Sequence, residues 1–302
     1  MKLSRKQKHI LLKFFSMFSV IRGYNIFIII LAQYLASVYI LAHHLPLREV
    51  VLDTNLLMLV LASAAAIAGG YIINNFYDSE KDLINRPQKT MLDRLVSQNT
   101  KLSFYFVLNF VAVILASYVS FRAVLFFSAY IFGIWFYSHK LKKLPFIGNL
   151  TSAILTITPF FVIFVYYKNF EPVIFVHALF LFLIISMREL TKDLENIKGD
   201  LVQNYKTIPV VYGEKASKQM LTLLTALTLI PAVLLIYKFQ VGKMSYYFYF
   251  SILLLLFFQA MLWKSNSKKQ YVILHNILKF IIVSGVLSIP LIDLNLVLNK
   301  IT

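Results

Sequence analysis

Residues 56–87 read LLMLVLASAAAIAGGYIINNFYDSEKDLINRP. The stretch begins as an uncharged run of aliphatic and small side chains and ends in a regularly spaced set of amides and carboxylates. An apolar run of roughly 17–25 residues is long enough to cross a hydrocarbon core of about 30 Å as a helix. Asn75, Asp78 and Asp82 stand at i, i+3 and i+7, and Asn74, Asp78 and Asp82 at i, i+4 and i+8, so on a helix both sets share one face. A membrane span that runs into a polar stripe therefore sets the frame for the rest of the chain.

The same length rule finds about nine spans, near 17–42, 55–77, 103–120, 122–138, 145–167, 172–190, 217–237, 245–263 and 271–297. The chain is 59% hydrophobic with a mean hydropathy of +0.74, where a soluble domain holds about 45–50% apolar residues. Only short polar breaks separate the spans. The expected architecture is one all-α integral membrane domain over residues 1–302, with a basic flank at 1–16, a first metal-motif segment at 71–90 and a second at 188–213. The first apolar segment contains Arg22 and Asn25 and ends at Leu-Ala-His-His rather than at small residues, which argues for a retained helix over a cleaved signal. Ahead of it, LSRKQKHILLKFF fits either an amphipathic helix on an anionic membrane face or a simple basic flank.

The chain lacks cysteine, which excludes disulfides, thiolate nucleophiles and cysteine-based metal sites. Its formal charge of +17 is placed by topology rather than for nucleic acid. With the N-terminus inside, the inner breaks hold most of the Lys and Arg, from Lys2 through the Lys140, Lys142, Lys143 loop to Lys269, whereas the outer breaks hold Arg48, Arg122, Lys168, Lys238, Lys243 and Lys300. The positive-inside rule then makes the N-terminus cytoplasmic, in the cell's inner membrane, and an odd number of spans leaves the C-terminus outside.

Acidic residues number thirteen, and nine of them, Asp78, Glu80, Asp82, Asp93, Glu189, Asp193, Glu195, Asp200 and Glu214, fall in two inner segments. In MRELTKDLENIKGD, Asp193, Asn196 and Asp200 repeat the i, i+3, i+7 spacing of the first cluster. Each cluster ends an apolar helix and leads into a basic loop, which suggests a tandem duplication of a roughly four-span unit with one extra span, its two stripes facing each other at the repeat interface. A lone DxxxD at a helix end is usually a solvated face. Two matched clusters in a chain otherwise poor in acids favour a hard cation, since carboxylates packed on one face repel unless a cation joins them. Mg²⁺ uses a few carboxylates plus substrate phosphates, and the flanking Arg86, Lys89, Lys140, Lys143, Lys198 and Lys206 suit the remaining oxygens of a diphosphate on a lipophilic group.

These stretches resemble the UbiA-type intramembrane prenyltransferases. AGGYIINNFYDSEKDLINRPQK is similar to the family's first aspartate signature, RELTKDLENIKGDLVQNYKTIPVVYG to its second, FYSHKLKKLPFIGNL to the basic stretch between them and VIRGYN to its early Arg and Asn. The resemblance implies nine helices around a lipid-accessible cavity on the cytoplasmic side, with Mg²⁺ helping an isoprenyl diphosphate to ionise before an acceptor attacks the allylic cation. By that resemblance Asn74, Asp78, Asp82, Asp193 and Asp200 hold the metal, and the four aspartates are the catalytic set. Arg22, Asn25, Asn74, Asn75, Arg86, Tyr137, Lys140, Lys143, Asn196, Lys198 and Lys206 are the expected substrate contacts. Tyr71, Phe76, Tyr77, Tyr137 and Tyr205 are candidates to stabilise the cation through their faces, worth about 0.5–2 kcal/mol each. Asn75 and Asn196 depart from the family, standing where it usually has Asp.

Within the family the two signatures look most like the branch that joins geranylgeranyl to geranylgeranylglyceryl phosphate, a lipophilic acceptor in ether-lipid synthesis. An aromatic acceptor of quinone-type biosynthesis is the alternative, with haem farnesylation third. From another class, a cation-coupled transporter also uses intramembrane acids and repeats, although its acids usually lie near the bilayer midplane.

Overall fold

A computed structural model describes residues 4–293, so Lys2, Lys300 and positions 294–297 of the last expected span lie outside the described residues. The chain is all α among those residues, with nine helices long and apolar enough to cross a membrane. α1 (Arg5–Val20) opens on a capping box in which Ser4 and Gln7 satisfy each other's backbone N–H groups. Its Leu11, Leu12, Phe14, Phe15 and Phe18 are exposed. The first expected span divides here, because Arg22 adopts a left-handed φ of 51° before α2 (Gly23–Ala36) begins. A Cβ on Gly23 would run into the Phe18 ring, so the tight corner needs glycine.

After the short α3 (Leu47–Val51) comes α4 (Thr54–Asn85), a helix of 32 residues. It continues past the expected end of the second span near 77 and carries the first acidic cluster on unbroken helix. Pro87 at the first turn of α5 (Pro87–Asp93) starts a new direction, since proline lacks the N–H that would continue the earlier ladder. Ser97 and Ser120 cap α6 (Gln98–Val119) and α7 (Phe121–His139) by accepting from the N–H groups of Thr100 and Ala123. α8 (Ile147–Tyr167) precedes α9 (Pro172–Val202), whose 31 residues carry the second acidic cluster past the expected boundary at 190. α10 (Ile208–Val233) breaks at Gly213 (φ 81°, ψ 170°), and α11 (Ser245–Lys264) and α12 (Lys268–Ser288) complete the set. The two longest helices are thus the two that end in acids.

The fold divides into two compact units, one made of the chain up to Ile30 with Leu57–Leu141, the other of Leu31–Leu56 with the chain from Lys142 onward. In the first unit Val20, Ile72, Ile73 and Tyr105 form a small core. In the second, α9 packs on α8, α10 and α12, and a larger core runs through Phe180, Met187, Leu221, Phe248, Leu255 and Leu278. The second unit also holds an apolar cavity of about 230 Å³ lined in part by Ala36, Phe160, Phe164, Phe180, Tyr247 and Ile281.

Asp53 ties the entry of α4 to the end of α8 within the second unit. Its Oδ1 accepts from the N–H groups of Asn55 (2.9 Å) and Leu56 (3.3 Å), and its Oδ2 accepts from the Tyr166 hydroxyl (2.8 Å). Asp53→Ala removes a helix cap and a charge-assisted bond together and is expected to cost about 1–2 kcal/mol. A lower midpoint of thermal unfolding in detergent checks this, with Asp53→Asn falling between the two.

Candidate active site

In the first unit the C-terminal third of α4 positions Asn74, Asn75, Asp78 and Asp82 on adjoining turns. Asp78 is buried, with the Lys81 ammonium 3.6 Å from its Oδ1. Asp82 is partly exposed, and its backbone carbonyl accepts from the N–H of Arg86 (2.7 Å), which turns the chain into α5 with Arg86 at the N-cap. The tail of α4 therefore presents two carboxylates with Lys81 and Arg86 beside them.

Arg22, Asn25 and Tyr71 come together although they are far apart in sequence. The Arg22 guanidinium lies over the Tyr71 ring, 4.9 Å from its centroid, and the Asn25 amide donates to the Tyr71 hydroxyl at 3.2 Å. Tyr71 stands one helical turn before Asn74, so this cluster adjoins the first acidic stripe. Asn75 is engaged elsewhere in the same unit: its Nδ2 donates to Asp93 Oδ2 (3.2 Å) and its Oδ1 accepts from Lys101 Nζ (2.9 Å). Tyr137 is half-buried near the end of α7 and Lys140 is exposed just after it. Tyr77 packs on Phe76 and on His139, with ring centroids 5.5 and 5.3 Å apart.

In the second unit α9 carries Asp193 and Asp200 two turns apart. Asn149, in the first turn of α8, donates its amide to Asp193 Oδ2 at 3.0 Å. Asp200 is buried and its Oδ2 accepts from the Thr207 hydroxyl (3.3 Å), while its carbonyl accepts from the N–H of Tyr205 (2.8 Å). The segment between α9 and α10 thus folds back onto the end of α9, helped by a left-handed Asn204. Lys206 N–H donates to the carbonyl of Lys143 at 2.9 Å, and the Lys142 and Lys143 ammoniums sit 5.9 and 5.4 Å from the buried Tyr205 ring. Lys143, Lys198 and Lys206 have exposed side chains. The Asn196 amide nitrogen donates to the Lys192 carbonyl one turn back (2.8 Å).

Beneath this layer Glu189 binds Arg188 (3.1 Å) and Lys192 (2.7 Å), and Glu195 pairs with His275 of α12 at 3.0 Å. Sequence reasoning missed Asn149, Thr207 and His275. The first two were within reach, since Asn149 belongs to the GN of the basic stretch and Thr207 to the TIP segment of the second signature. Asn149→Ala leaves Asp193 without its orienting donor, and a loss of about 10–100-fold in activity is expected. Turnover within twofold of the parent would show that Asp193 does not need it.

Residues 24–283 match the UbiA prenyltransferase family. The chain belongs to the UbiA prenyltransferase family. Digeranylgeranylglyceryl phosphate synthase of Thermococcus sibiricus is 33% identical over 217 residues, which is 71% of this chain and 75% of that protein. The Methanobrevibacter smithii protein of the same name is 29% identical over 231 residues, 72% of this chain and 79% of that one. Among solved structures, one described as a digeranylgeranylglyceryl phosphate synthase in membranes superposes with a TM-score of 0.68 at 22% identity, covering 92% of this chain and 97% of the other. A UbiA homologue from Archaeoglobus fulgidus bound to GPP and Mg²⁺ gives 0.64 at 14% identity, covering 91% and 99%. UbiA membership decides between the two classes left open by the residues alone: the protein is a membrane enzyme of prenyl transfer, not a transporter.

The donor set of this UbiA member also fits the family's metal. Among the described residues no three His, Asp or Glu side chains gather into a site that would hold a cation alone. Pairs of carboxylates with amides beside them suit a hard cation that takes the rest of its shell from phosphate oxygens and water, which is how Mg²⁺ is usually held.

Proposed function

We propose that the protein transfers a geranylgeranyl group from its diphosphate to geranylgeranylglyceryl phosphate, with Mg²⁺ held by Asn74, Asp78 and Asp82 of α4 and by Asp193 and Asp200 of α9. The observation that carries the acceptor is the likeness, over most of both chains, to the Thermococcus sibiricus synthase. The prenyl donor and the metal are supported by the homologue bound to GPP and Mg²⁺. The reaction belongs at the cytoplasmic face of the cell membrane, where the positive-inside rule puts both basic loops.

Bound Mg²⁺ supplies neutralisation of the charge that builds on the departing pyrophosphate. The chain's own groups do the rest. Arg86 and Lys81 next to the α4 carboxylates, and Lys143, Lys198 and Lys206 near the end of α9, bind the phosphate oxygens and hold them aligned for departure. The partly exposed rings of Phe76 and Tyr77, beside the first acidic stripe, offer electron-rich surfaces to an allylic cation without a nucleophile strong enough to trap it. Asn149 and Thr207 keep Asp193 and Asp200 oriented between turnovers. The apolar cavity of the second unit, near the start of α9 and about 20 Å along that helix from Asp193, accommodates isoprenoid tail and keeps water away.

Purified protein incubated with geranylgeranyl diphosphate, Mg²⁺ and a panel of acceptors tests the proposal, with products identified by mass. The diether from geranylgeranylglyceryl phosphate is the expected product. A prenylated hydroxybenzoate or dihydroxynaphthoate in its place would move the protein to the aromatic branch. Removing the metal with EDTA is expected to abolish turnover and added Mg²⁺ to restore it.

A further inference from the structure

The first signature holds one residue that its resemblance to the family leaves unexplained, Asn75. Its surroundings in the first unit account for it. Lys101, in the first turn of α6, is only 1% exposed, and a buried ammonium is costly unless paired and hydrogen-bonded. Asp93, the last residue of α5, is 3% exposed and supplies a carboxylate. Asn75 stands between them, accepting from Lys101 and donating to Asp93, so that its amide passes hydrogen bonding from the cation to the anion. Asp93 is completed by the Ser19 hydroxyl on its Oδ1 (2.9 Å) and by Lys89, 3.5 Å from its Oδ2. Four helices, α1, α4, α5 and α6, thereby meet on one buried polar centre.

An aspartate at 75 would not serve in the same way. It would set a second carboxylate about 3 Å from that of Asp93, with no amide hydrogen to join them. With the carboxylate at 93, the amide at 75 is the side chain that can accept from Lys101 and donate to Asp93 at once.

We infer that Asn75 is a positioning residue, not a metal ligand: through Asp93 and Lys101 it fixes the rotation of α4 so that Asn74, Asp78 and Asp82 meet the diphosphate. This rests on the prenyl-transfer reading for what the stripe binds, but the network itself lies in the first unit whatever the acceptor. A full register is needed because a misplacement of about 1 Å in a reacting group costs on the order of 10²-fold in rate.

The test is a charge exchange. Asn75→Asp, Asp93→Asn and the two combined are compared with the parent, full-length and purified, by calorimetric titration with geranylgeranyl diphosphate at several Mg²⁺ concentrations, alongside transfer kinetics. Each single change is expected to weaken Mg²⁺-dependent diphosphate binding about 10–100-fold and leave the acceptor KM unchanged, a division that loosened packing alone would not give. The combined variant returns one carboxylate and one amide to the centre and is expected to bind within about threefold of the parent. Tighter Mg²⁺-dependent binding in Asn75→Asp would make position 75 a ligand and overturn the inference, as would a combined variant no better than the weaker single one. If a single variant does not fold, the combined one read against the parent carries the test, and a tenfold loss in it overturns the inference. A parent that binds magnesium diphosphate and responds in this way without making the diether would sink the acceptor assignment and leave Asn75 in its role.

Discussion

Asp78→Ala and Asp193→Ala are each expected to lower kcat/KM for prenyl transfer by about 10³-fold or more while the helices remain folded. Both carboxylates sit where α4 and α9 leave their apolar stretches, and neither holds the apolar cores together. Asp78 has Lys81 at 3.6 Å, and that lysine's side chain is 14% exposed, so Asp78→Ala costs more stability than Asp193→Ala. Asp193 takes one amide bond, from Asn149. Truncation at 193 removes a negative charge from the proposed diphosphate site and one amide bond, and truncation at 78 leaves one ammonium to re-pair, so stability should change far less than rate. Release of pyrophosphate and mass analysis of the product measure the first, and helical circular dichroism with size-exclusion behaviour in detergent measures the second. Transfer within tenfold of the parent in both variants would refute the assignment of these aspartates. A loss in one alone would restrict the site to its own unit.

How much of this was legible in the sequence depends on which interaction is asked about. Hydropathy length located nine spans because lipid demands long apolar helices whatever their partners, and the structure has nine such helices among the described residues. The same rule stopped α4 short by about two turns and α9 by about three. Asn74 to Asn85 and Glu189 to Asp200 lower local hydropathy, yet the helix continues because backbone hydrogen bonding does not depend on side-chain polarity. It also ran the last turn of α1 into α2, since nothing in the apolar count signals that Arg22 takes a left-handed φ. The acids were found by spacing because each set lies on one helix. Asn75 with Asp93, Arg22 with Tyr71 and Glu195 with His275 were out of reach, being pairs 18, 49 and 80 residues apart that only tertiary packing joins. Lys101 illustrates the limit well: in sequence it is one more basic residue of an inner loop, and in the structure it is the buried cation of a polar centre.

Glu189→Gln is expected to destabilise the protein by about 2–3 kcal/mol and to cost roughly tenfold in activity. Glu189 is 5% exposed and is the acceptor for two cations, Arg188 at 3.1 Å and Lys192 at 2.7 Å. Removing its charge leaves both without an anion in a poorly hydrated place, and the partial exposure of the two cations holds the cost near the low end of what a broken buried pair shows. Activity follows from the neighbour. Lys192 already acts electrostatically on Asp193, and an ammonium released from Glu189 competes with metal for that carboxylate. The fault lies in the stranded cations more than in the lost glutamate. Glu189→Met combined with Lys192→Met should then be more stable than Glu189→Gln alone, because it removes a cation together with its partner. Unfolding midpoints of the two variants in the same detergent, measured with the Mg²⁺ concentration for half-maximal transfer, decide it. A double variant less stable than the single one would mean that Glu189 contributes through shape or through Arg188 alone.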